Sequence, residues 1–205
     1  MPDHAPIPLP PPGLRERRKQ VTRHALELAA LRLFARDGFA ETTVEAIAAE
    51  AGVSTRTFFR YFATKEDVLN PLREIRQGML REELLAVPED AGDLLSVAVA
   101  GLCRMAPDFE GEGDVVRLWA QAAYSSALLR GRLYEVLLSW EDKIRRALAE
   151  RAGVAADAPE VVAAAAAAVA LWQHAVERWQ ADLESDQPEH DLAGHLRALH
   201  AALRP

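Results

Sequence analysis

The sequence predicts an all-α protein in which a three-helix N-terminal unit, built around a helix-turn-helix, is followed by a C-terminal helical bundle, about nine helices in all. Three observations carry this. No stretch sustains period-two alternation, and no Asn-Gly or Asp-Gly pair separates two β-branched runs. Apolar residues recur at helical spacing, as Leu26, Ala30, Leu33 and Phe34 do. Helix boundaries are punctuated by capping residues, prolines and glycines throughout.

The elements follow in order. Met1 to Gly13 has six prolines in its first twelve residues and reads as an extended arm. A helix over 15–37 ends at Gly38, the residue expected in a left-handed C-terminal turn. Thr42-Thr-Val-Glu45 has the form of a capping box opening a helix over 43–50. Ser54 and Thr64 cap helices over 54–61 and 65–87, and Pro71 permits a bend in the second. Helices over 93–106, 114–125 and 127–152 come next. Asp157-Ala-Pro-Glu160 and Asp186-Gln-Pro-Glu189 each set an acidic cap before an early proline, opening helices over 159–185 and 188–204. Domain boundaries are expected at 1–13 for the arm, 14–64 for the helix-turn-helix unit and 65–205 for the bundle.

Composition narrows the function. With 205 residues, half of them apolar, the chain buries a sizeable core. A single cysteine excludes an intramolecular disulfide framework and a Cys-rich zinc module, and fits a reducing compartment. The longest apolar run, Val161 to Trp172, falls short of the roughly 18 residues that span a bilayer. The arm lacks the pattern of a secretory signal. A cytoplasmic protein without a membrane partner is expected.

The net charge of −7 is unevenly spread. Residues 1–70 hold ten Lys and Arg against nine Asp and Glu, whereas residues 71–205 hold fourteen against twenty-two. Leu14 to Arg36 alone carries seven basic residues and two acidic ones. A basic stretch on an acidic chain is either a solvated helix face or a polyanion contact. Arg15, Arg17, Arg18 and Lys19 fit equally a plain helix start or an arm entering a minor groove.

Thr42 to Leu69 carries the chemistry. One helix ends at Ala51, Gly52 turns the chain, Val53 is buried and Ser54 caps the next helix. Ile47, Val53 and Phe58 fix the two helices at a steep angle, and Ala48 lets them approach. That is a helix-turn-helix presenting its second helix to a major groove. Ser54, Thr55, Arg56 and Thr57 lie where side chains reach base edges; arginine pairs bidentately with guanine. Arg60 and Tyr61 are placed for the DNA backbone. Lys65, at a helix start, and Thr43, in the first turn of the preceding helix, are expected to meet phosphates.

From about Thr22 to Leu69 the sequence resembles the TetR family of bacterial transcriptional regulators. The resemblance rests on Gly38, Thr43, Ile47-Ala48, Ala51-Gly52-Val53-Ser54, Thr57-Phe58-Phe59, Tyr61-Phe62 and Lys65-Glu66. Phe59 departs from the tyrosine frequent there, and so gives up a hydroxyl for phosphate. The resemblance implies a homodimer on a palindromic operator, most simply a repressor, with a helical domain that binds a small-molecule effector. It also implies dimerisation through the last two long helices, where six consecutive alanines lie within Val161 to Leu171.

The effector site is implied among the helices at 93–106, 114–125 and 127–152, with Cys103, Trp119, Tyr124 and Trp140 as its candidates. Aromatic residues on such helices also serve simply as core. A largely apolar effector fits them, and the helix from Lys65 is the expected lever between ligand and DNA. A regulator without ligand sensing, controlled by a partner or constitutively, is the alternative. No cofactor, metal site or catalytic group is expected. Cys103 has no assignable histidine, His174 with Glu177 makes no complete site, and no phosphate-cradling glycine loop occurs.

Overall fold

A computed structural model describes residues 14–69, 75–111, 113–183, 185 and 190–203, and among these every regular element is helical. The elements are α1 (Leu14–Asp37), α2 (Val44–Glu50), α3 (Thr55–Tyr61), a 3-10 turn (Glu66–Leu69), α4 (Ile75–Leu85), α5 (Leu94–Glu110), α6 (Gly113–Ser125), α7 (Ala127–Ala152), α8 (Pro159–Leu183) and α9 (Leu192–Ala201). The all-α class and the order of the helices agree with the sequence. The expected arm, Met1 to Gly13, lies outside the described residues.

Several caps differ from expectation. Thr43, not Thr42, caps α2: its hydroxyl accepts the Ala46 N–H at 3.1 Å. Thr42 is buried and donates to the Gly38 carbonyl at 2.8 Å, so Glu45 falls one position early and the capping box does not form. The helix expected over 65–87 is a 3-10 turn followed by α4; Pro71 lies outside the described residues. Asp67 reaches back to accept from both the amide and the hydroxyl of Thr64, the reverse of the expected cap. α8 starts at Pro159, which puts Ala158 rather than Asp157 at the cap position. α9 is capped by Asp191, which accepts from the Gly194 amide; the pattern at Asp186–Glu189 lies outside the described residues.

Two apolar cores form. In the first, Leu26, Ala30, Leu33 and Phe34 of α1 close on Ile47 and Ala48 of α2 and on Phe58 and Phe62. This core does not end with three helices. At 24 residues α1 is about 36 Å long, far longer than α2 or α3. α6 packs along it, adding Val115, Trp119, Ala122 and Ala123, and Leu129 of α7 joins them. The second core is built by α4, α5, α7, α8 and α9, with Val116 of α6 joining them. There Phe109 sets its edge against Trp140 and Trp172, with ring centres at 6.0 and 5.0 Å. By length and mean hydropathy α8 suffices to cross a membrane. Its Val161, Ala165, Ala168, Leu171, Trp172 and Ala175 are instead buried in this core.

Candidate functional site

The α2–α3 corner is set by backbone hydrogen bonds. Gly52 adopts φ +67°, its N–H bonds the Ala49 carbonyl at 3.0 Å, and Val53 N–H bonds the Ala48 carbonyl at 2.9 Å. This pair of bonds closes a helix through a left-handed residue, a conformation that costs a side-chain-bearing residue energy. Ser54 then starts α3 by accepting the Thr57 N–H at 3.2 Å. Its hydroxyl also shares a hydrogen bond with the Thr57 hydroxyl at 3.1 Å, so the two hydroxyls are held as a pair.

Phe58 and Phe62 anchor α3 to the core and turn its other side outward. Arg56, Phe59 and Arg60 are exposed, with Thr55, Thr57 and Tyr61 half-buried beside them. Arg60 lies over the Tyr61 ring at 5.1 Å. Thr43 is exposed at the start of α2. Phe59, 56% exposed, gives this surface an apolar contact where a polar one is frequent in the family.

Lys65 has a different place from the one expected. Its ammonium donates to the carbonyls of Phe39 and Thr42 at 2.8 and 2.9 Å, and to Ala40 at 3.4 Å, and sits 4.4 Å from the centre of the Phe39 ring. An ammonium has three N–H bonds, and all three are directed to this loop rather than outward to a phosphate. Lys65 thus ties the end of the helix-turn-helix to the α1–α2 connection. Lys65→Met is expected to lower stability by about 1.5–3 kcal/mol, the value of hydrogen bonds to a charged group. It should leave the salt dependence of DNA binding unchanged; a slope smaller by about one unit in a titration would restore the phosphate contact.

The basic stretch is partly used inside the fold. α1 begins at Leu14, so Arg15 to Lys19 are helical rather than an arm. Arg23 donates to Glu27 at 3.0 Å and lies over the Phe62 ring at 5.2 Å, clamping the end of α3 to α1. Arg36 chelates Asp37 with two bonds of 2.7 Å. That pairing holds the Asp37 carboxyl below, and the Arg36 guanidinium above, its ordinary pKa.

A second feature is a cavity of about 250 Å³, open to the surface on one side and bounded by α5, α6, α7 and α8. Trp119 and Trp140 line it, together with Phe109, Leu137, Trp172 and Val176. Cys103 does not. Its thiol faces α9, with Sγ 3.7 Å from the Ala193 carbonyl, and burial pushes its pKa up. Nothing is described of the Tyr124 side chain. The α8 contribution escaped the sequence because Trp172, Val176 and Gln180 share a helix with the alanine run. Exposed Arg130, Tyr134 and Glu177 also line the cavity.

An all-helical chain with an outward-turned helix-turn-helix and a separate apolar cavity defines a DNA-binding regulator. The family model described as bacterial regulatory proteins, tetR family, matches residues 28–72. The HTH-type transcriptional regulator TcmR of Streptomyces glaucescens is 36% identical over 157 residues, covering 71% of this chain and 67% of that protein. The putative mycofactocin biosynthesis transcriptional regulator MftR of Mycobacterium tuberculosis is 42% identical over 52 residues, covering 25% of this chain and 26% of that one. Among solved structures, Thermus thermophilus FadR, a TetR-family transcriptional repressor in complex with lauroyl-CoA, superposes with TM-score 0.54 at 26% identity, covering 88% of this chain and 92% of that one. A putative TetR-family regulator from Syntrophomonas wolfei shares the fold, with TM-score 0.66 at 22% identity over 90% of this chain and 95% of that one. The chain belongs to the TetR family of bacterial transcriptional regulators; it is a regulator and not an enzyme.

Proposed function

We propose that this regulator acts in the cytoplasm as a homodimeric repressor of a palindromic operator, released when a small, largely apolar effector enters the α5–α8 cavity. The observation that carries the reading is the position of α6. Trp119 and Ala123 line the cavity and also belong to the core that α1 shares with the helix-turn-helix. A ligand that resets α6 therefore acts directly on α1, a shorter route than the one expected through the helix after Lys65. Release needs only that the effector favour the non-DNA arrangement by the coupling free energy, typically about 1–3 kcal/mol. That the FadR structure from Thermus thermophilus holds lauroyl-CoA supports a ligand-responsive relative.

Dimerisation is assigned to α8 and α9. Ala163, Ala166 and Ala170 are exposed along one side of α8, opposite its core-facing residues, and small side chains there allow a second helix to approach closely. A twofold pair would set the two α3 helices about 34–36 Å apart, one turn of DNA.

The test is to select bound fragments from genomic DNA, then screen lipophilic compounds by thermal shift for ones that also release the selected operator. A specific site without any releasing compound would favour a regulator without ligand sensing. On that operator Arg56→Ala is expected to cost about 1–3 kcal/mol and relax preference at one base pair, as loss of a bidentate contact does. An unchanged binding profile would remove Arg56 from the base-reading role.

A further inference from the structure

We infer that Phe59 reads a thymine in each half of the operator, through the C5-methyl group of the base. The inference rests on α3 lying in the major groove, and it starts from a ring that can make no hydrogen bond there. Phe59 is more than half exposed, whereas Phe58 and Phe62 on the same short helix and its cap are buried in the core. It stands three residues after Arg56 and four after Thr55, so the three share one face of α3. The guanidinium of exposed Arg60 is engaged elsewhere, over the Tyr61 ring at 5.1 Å. The rings of Phe58 and Phe59 meet edge to face with centres 5.5 Å apart. The exposed ring is therefore braced on a buried one, and it gives up little freedom when a partner covers it.

The chemistry of the ring selects the base. A phenyl group pressed against a phosphate strips water from an anion and returns no hydrogen bond. In the major groove the edges of the base pairs present donors and acceptors, and the apolar group among them is the thymine methyl. A ring on the face of Arg56 thus gains where a methyl meets it and loses where it dries a polar base edge. Residues 56 and 59 are about 4.5 Å apart along the helix axis, little more than one base step of about 3.4 Å. The thymine is accordingly placed within two base pairs of the one that Arg56 reads.

The test uses the full-length protein and an operator recovered by selection, with thymine replaced by uracil at one position of both half-sites at a time. Uracil keeps the pairing edge and the O4 acceptor and lacks only the methyl. Fluorescence anisotropy should find a position, within two base pairs of the Arg56-dependent one, where uracil weakens binding about fourfold per half-site, the value of one buried methyl group. Phe59→Ala should bind the thymine and uracil forms of that position equally, with circular dichroism melts showing that it folds. As a readout that needs no variant, 5-iodouracil at the same position, its iodine in place of the methyl, should crosslink on irradiation to the peptide carrying Phe59. Specific binding by the wild type that is indifferent to uracil at every position would overturn the inference and leave the operator reading standing. A thymine preference that persists in folded Phe59→Ala, or crosslinking only to other peptides, would overturn the assignment to Phe59. Binding of no duplex above the non-specific level would overturn the operator reading and this inference with it.

Discussion

Trp119→Ala is expected to lower stability by about 3–5 kcal/mol, the usual cost of truncating a buried aromatic residue to alanine. Trp119 is buried within the core that joins α6 to α1 and also forms part of the cavity wall. Set against a typical total of roughly 5–15 kcal/mol, such a loss is large enough to read directly from urea unfolding. Because the alanine variant also disturbs DNA binding by unfolding, Trp119→Phe separates the roles. Phenylalanine still fills much of the core, so the operator should be bound near wild-type affinity. The smaller ring loosens the contact of cavity with α1, so a compound that releases the wild-type protein should release this variant about fivefold less effectively. Full release by Trp119→Phe would remove α6 from the path between cavity and DNA.

Replacing Ala166 and Ala170 together by glutamate is expected to convert the proposed dimer into a monomer in sedimentation. Both residues are exposed in the single chain, so the folded protomer accommodates the longer side chains. In a twofold pair the same positions would bury four carboxylates against small side chains with no cations beside them, a penalty of several kcal/mol. Operator affinity should fall by at least about a hundredfold, since each half-site loses its tethered partner. Helicity should survive, because alanine to glutamate costs only a few tenths of a kcal/mol in a helix. A dimer that persists with full operator affinity would place the interface elsewhere.

The DNA-reading half was legible because its signals are local. Gly52, Ser54 and the apolar set of Ile47, Ala48 and Phe58 lie within a dozen residues, and the bonds that shape them span five or fewer. The cap of α2 shows the limit even there. Thr42 and Thr43 are chemically alike, and what separates them is that the Gly38 carbonyl captures the Thr42 hydroxyl. Lys65 shows the same limit over a longer range: its partners lie twenty-three or more residues away, so its spacing within the motif could not reveal them.

The cavity depended on assembly. Trp119 and Trp140 were identifiable as large aromatic residues on amphipathic helices; Cys103 was a candidate by its place on one of the helices the family resemblance implies, yet it faces α9. Periodicity says which side of a helix is apolar without saying which neighbour covers it. α8 is the sharpest case, because one side carries exposed alanines while Trp172, Val176 and Gln180 close the cavity. By itself the sequence determined the helices, the corner at Gly52 and the family, since each is written in residues close along the chain. Only the tertiary structure decided that α6 is shared by the two cores and that Lys65 turns inward. Those depend on which surfaces meet across long separations, and burial there is set by the partner rather than by the residue.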